Sequence, residues 1–153
     1  MPAIDRVLTD DQMALLTAVV DRIIPQSDGM PGASEMGLPN FIEGVLVAQT
    51  PLRRLFIEGL AQIEIAAARS GGSFGDLSGE GQDSALREVE TSNAGFFDEL
   101  VRQTYNGYYT NPEVFRKLGI PDSSDPGSGR QPELLDVSLL EKQRQRAPFW
   151  RPI

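Results

Sequence analysis

Along the first 118 residues of this chain, apolar side chains recur at i, i+3 and i+4, and no stretch alternates with period two over a useful length. That pattern restricts the fold to packed helices. Thr9 and Gln12 have the spacing of a capping box, and Asp10 and Asp11 fall in the first turn, where the helix dipole favours acids. Met13, Leu16, Val20 and Ile23, widened by Leu15 and Val19, form the buried face of this first helix, which Pro25 stops. Residues 25–37 hold Pro25, Gly29, Pro31, Gly32 and Gly37 and predict an irregular loop. Met30, Ala33, Met36 and Leu38 give that loop apolar groups to bury, so it is expected to be ordered and clamped on the bundle.

A second helix is predicted from Leu38 to Ala48, with Pro39 tolerated in its first turn. Thr50-Pro51 reads as an N-cap followed by a first-turn proline, opening a third helix on Leu52, Leu55, Phe56, Leu60 and Ile63 that Gly71-Gly72 close. Ser78 caps the entry to a short polar helix, Asp83 to Glu90. Phe96, Phe97, Leu100, Val101, Thr104, Tyr105 and Tyr108 make the broadest stripe, on a fifth helix, and Asn111-Pro112 opens a last short turn from Glu113 to Leu118. The expected fold class is all-α, a small bundle of about five helices. Residues 1–118 form the helical domain and residues 119–153 a linker and an extended C-terminal arm. The linker GIPDSSDPGSGRQP has six Gly or Pro among its fourteen residues. From Glu141 to Ile153 the arm carries +3, so the preceding 140 residues carry −11 of the net −8.

The 153 residues include no His and no Cys. Ser-His-Asp and Cys-His nucleophiles, Cys/His zinc sites, haem ligation by His and iron–sulfur clusters are thereby excluded. The net charge of −8 argues against binding a nucleic acid over a broad face. Asp21, Glu35, Glu43, Asp98 and Glu99 are candidates by type for a paired-carboxylate enzyme acting on carbohydrate, but their spacing does not pair them. Asp122-Ser123-Ser124-Asp125 lacks the spacing and closing Glu of a calcium loop. Gly71-Gly72-Ser73-Phe74-Gly75 follows a helix and has no Lys, so it reads as a linker, not a phosphate cradle. No stretch reaches the roughly 18 apolar residues of a membrane span, and Met1 to Arg6 show no signal peptide. The expected location is the cytoplasm, or the periplasm if the chain is exported with a partner.

Two groups remain for recognition. Tyr105, Tyr108 and Tyr109 place phenols on two faces of one helix end, either as core residues whose hydroxyls reach the surface or as a partner-docking face. Phe149, Trp150 and Arg151, in Pro148-Phe149-Trp150-Arg151-Pro152, put two large aromatics near the end of the basic arm. Flanking prolines hold this segment extended, and its partner is either another protein or the chain's own bundle.

Residues 14–43, ALLTAVVDRIIPQSDGMPGASEMGLPNFIE, and residues 96–120, FFDELVRQTYNGYYTNPEVFRKLGI, together resemble the gluconate 2-dehydrogenase subunit 3 family. The resemblance covers most of residues 8–120 and rests on the order and spacing of several short motifs. It implies a non-catalytic accessory subunit that binds no cofactor. A large subunit of the glucose-methanol-choline oxidoreductase type would carry FAD and oxidise a sugar or alcohol, and some such complexes add a cytochrome. The small subunit would support folding, stability or export of that flavoprotein. Family members often begin with a twin-arginine signal, which this chain lacks. Some carry His in the segment matching Thr104 to Asn106; here Gln103-Thr104-Tyr105 has none, so no redox role transfers. Pro31, Gly32, Ala33, Tyr108, Tyr109, Asn111 and Pro112 carry over as scaffold residues. The competing readings are a stand-alone carbohydrate-active enzyme and a homo-oligomeric helical module.

Overall fold

The computed structural model describes residues 6–120 and Gln145. Thr9 and Gln12 form the reciprocal capping box, with Gln12 N–H donating to Thr9 Oγ1 at 3.2 Å and Thr9 N–H to Gln12 Oε1 at 3.0 Å. They open α1 (Asp10–Ile23), whose Leu16, Val19 and Val20 are fully buried. The remaining helices are α2 (Leu38–Ala48), α3 (Thr50–Arg69), α4 (Gly79–Ser92), α5 (Ala94–Tyr109) and α6 (Pro112–Lys117), with a 3₁₀ turn at Phe74–Asp76. There is no strand among the described residues, only an isolated bridge between Ser27 and Met30. The fold is all-α.

The third helix lies at the centre and packs on α1, α2, α4 and α5. Phe56, Leu60 and Ile63 of α3 and Phe96 and Leu100 of α5 are fully buried members of one core cluster. Gly59 makes this approach possible, because a Cβ there would overlap the Phe96 ring, which stands edge-on to Phe56 at 5.4 Å between centroids.

Several local expectations need correction. Thr50 is not an N-cap: only Gln49 separates α2 from α3, too little chain for Thr50 to leave the helix, and Gln49 makes no side-chain cap. The neighbouring Arg53 caps instead, its guanidinium donating to the Leu46 and Val47 carbonyls at the C-terminus of α2. The polar helix is longer than Asp83 to Glu90 and runs from Gly79 to Ser92, held to α1 by the two-pronged Arg22–Asp83 ion pair at 2.7 and 2.9 Å. Gly71 to Gly75 is no bare linker either, because Phe74 is buried to 1% exposure beneath it. At the other end, Gly119 at φ 69° closes α6: its N–H donates to Arg116 and that of Ile120 to Phe115, the pair of bonds that defines a Schellman cap.

Candidate functional site

The loop over residues 25–37 is pinned at four points. Ser34 donates its N–H and hydroxyl to the Asp21 carboxylate at 2.7 and 2.6 Å. Ala33 N–H donates to the Ile24 carbonyl, and Asn111 Nδ2 to the Met36 carbonyl at 3.4 Å. The Tyr108 hydroxyl donates to the Pro31 carbonyl at 2.7 Å, joining positions 77 residues apart. Pro31, Gly32 and Ala33 are buried. At the loop's tip Ser27 and Met30 exchange two backbone bonds around Asp28 at φ 46° and Gly29 at φ 79°, the two positive signs that a type I′ turn requires. The scaffold residues singled out in sequence, Pro31, Gly32, Ala33, Tyr108 and Asn111, thus meet where this loop crosses the end of α5.

Of the three tyrosines, Tyr108 leaves the docking set. It is 3% exposed, its hydroxyl is committed to Pro31, and burial, aided by Tyr109 and Glu35, raises its pKa above the ordinary phenol value. Position 108 falls on the inward side of α5 because Thr104 and Gly107 share that side. Tyr105 and Tyr109, four residues apart, point outward at 43% and 47% exposure and stack at 5.9 Å with rings 9° from parallel. Phe149, Trp150 and Arg151 lie outside the described residues.

Sequence reading missed the outer side of α2. Its exposed residues are Asn40, Phe41, Gly44 and Ala48, and its one charged residue, Glu43, is turned inward. The Phe41 ring lies over Gly107 of α5, where a Cβ would come within 2.7 Å of it, and remains 40% exposed. From Gln103 to Asn111, α5 and its C-cap also carry no charge. In a chain that is 24% charged, α2 and the end of α5 thus expose aromatic, small and amide side chains only. Depletion of charge with exposed Tyr and Phe is the composition of a protein–protein interface core. The signal was legible from Met36 to Leu52, where Glu43 is the single charge, but only its burial shows that the outer face has none.

Three of the candidate carboxylates are engaged in separate structural contacts. Asp21 is bound by Ser34; Glu43 Oε1 accepts from the Val7 and Leu8 N–H groups at 2.6 and 3.4 Å; Glu99 is bound by Arg102 and Gln103. Glu35 and Asp98 are exposed. No group of three or more acids could hold a metal ion among the described residues, and none of their helices is long and apolar enough to cross a membrane.

Fold and surface define a class: a small helical scaffold whose inward carboxylates hold loops and helix ends, and whose uncharged face is left open. A family model described as gluconate 2-dehydrogenase subunit 3 matches residues 10–121, and the chain belongs to that family. No curated protein and no solved structure matches it.

Proposed function

We propose that this chain is the non-catalytic accessory subunit of an FAD-dependent sugar or alcohol dehydrogenase. It binds a large flavoprotein subunit of the glucose-methanol-choline type and supports that subunit's folding, stability or export. A cytochrome is a further partner in some complexes of this kind. The observation that carries the reading is family membership over residues 10–121, since the family is named for a dehydrogenase subunit.

Two features of the chain support it. The chain has no His or Cys, and Asp21, Glu43 and Glu99 each accept structural hydrogen bonds, which favours a supporting role over a catalytic one. The Gly71–Gly75 segment follows α3 and enters a 3₁₀ turn, whereas a dinucleotide cradle of the Rossmann type needs a strand before it and a helix N-terminus after it. On this reading the partner carries the flavin, and the uncharged face of α2 and α5 makes the contact with it. The test is to express the flavoprotein with and without this chain and measure the yield of soluble, flavin-loaded enzyme. The reading expects the yield to fall severalfold when the chain is omitted; an unchanged yield overturns the supporting role.

A further inference from the structure

A groove of about 820 Å³ runs between α1, α3 and the Gly71–Gly75 turn, lined by none of the residues assigned to the partner. Leu15 and the buried Phe74 form its apolar part, and the small residues Ala14, Ala18 and Ala68 leave it wide. Its volume lies in the ~300–1,000 Å³ range of sites that enclose sizeable ligands. Asp11 and Glu64 line it with negative charge, and neither forms an ion pair among the described residues.

We propose that this groove seats the chain's own C-terminal segment, residues 141–153, with Trp150 against Leu15 and Phe74 and the arginines facing Asp11 and Glu64. Charge selects this occupant. The segment carries +3, whereas the remaining 140 residues, which would supply the surface of a second bundle, carry −11 toward an acidic groove. Chain length permits it. Twenty residues separate Ile120 from Glu141, an extended reach of roughly 65 Å, against about 30 Å for the diameter of a small domain. Tethering adds to it, because a linked segment meets its site at an effective concentration of about millimolar. Pro148 and Pro152 restrict the backbone beside the aromatic pair, which lowers the entropy lost on docking. In this proposal the arm covers an apolar surface of its own bundle and not one of another protein.

Trp150 is the only Trp in the chain, so its fluorescence reports the segment directly in the full-length protein. The proposal expects blue-shifted emission and acrylamide quenching roughly tenfold weaker than in urea, the ratio for a segment docked in about ten molecules of eleven. Filling the groove with Ala68→Phe, or reversing charge on the segment with Arg146→Glu and Arg151→Glu, should each restore the quenching seen in urea while helix content stays unchanged. The second variant leaves the bundle untouched, so it decides the matter even if Ala68→Phe fails to fold. Trp150 as quenchable in buffer as in urea overturns the proposal. So does protection that Arg146→Glu with Arg151→Glu leaves in place, which seats the segment elsewhere, and so does protection lost on dilution, which makes the occupant a second copy.

Discussion

Alanine at Gly59 and alanine at Gly44 are the same chemical change in two helix interiors, and the structure predicts opposite signs for them. In an unhindered helix, replacing Gly by Ala stabilises by about 0.8–1 kcal/mol. A methyl on Gly44 meets nothing within 4 Å, so that gain should appear in full. A methyl on Gly59 would sit more than ~1 Å inside the ~3.5–4.0 Å of ordinary carbon contacts with the Phe96 ring. That ring has no exposure and is wedged against Phe56, so relief requires moving α5 away from α3. Overpacking of this kind costs about 1–3 kcal/mol, and the size of the overlap argues for the upper end. Subtracting the propensity gain leaves Gly59→Ala destabilised by about 2 kcal/mol, and the two variants should differ by about 3 kcal/mol. Urea melts of the isolated chain measure this, with midpoints moving in opposite directions at constant m-value. A Gly59→Ala protein as stable as the wild type would refute the close packing of α3 on α5.

Tyr108→Phe removes the bond to the Pro31 carbonyl and should cost about 1–2 kcal/mol, with faster proteolysis confined to residues 25–37 and unchanged helix content. The Arg22 hydrogen bond lowers the Asp83 pKa below the ordinary carboxylate value, so the unfolded chain takes up this proton more readily than the folded one. The pair's contribution should therefore be complete above the unfolded-state pKa and vanish as pH falls through the folded one. Thermal melts across the acid range should show that loss in the wild type and not in Asp83→Asn. Tyr105→Ala with Tyr109→Ala, both exposed, should leave melting within a few degrees of the wild type while weakening association with the flavoprotein at least about tenfold, read by titration.

Local features were legible in the sequence because their causes are local. The Thr9–Gln12 box and the Pro25 stop involve residues within one or two turns, and α1 ends at Ile23 accordingly. What escaped depends on contacts across long separations. Tyr108 shares a stripe with Tyr105, and only the loop 77 residues earlier decides which of them is buried. Phe74 sits among glycines that mask its role as an anchor, since composition reports chain flexibility and not what one side chain reaches. Thr50-Pro51 has the right residue types for a cap, but the single residue between α2 and α3 leaves no room for it. The uncharged face needed both kinds of information: a charge-poor run visible in sequence, and the inward turn of Glu43, which follows from its bonds to Val7 and Leu8.

The central claim is that this chain serves a flavoprotein and holds no flavin itself. Gel filtration of the chain alone and after co-expression with the large subunit, followed by absorbance of the protein and of flavin, tests both halves at once. The account predicts a flavin-free peak for the chain alone, and after co-expression a single heavier peak containing both polypeptides with flavin in proportion to the large one. Stoichiometric flavin on the isolated chain, or two polypeptides that elute apart, would contradict it.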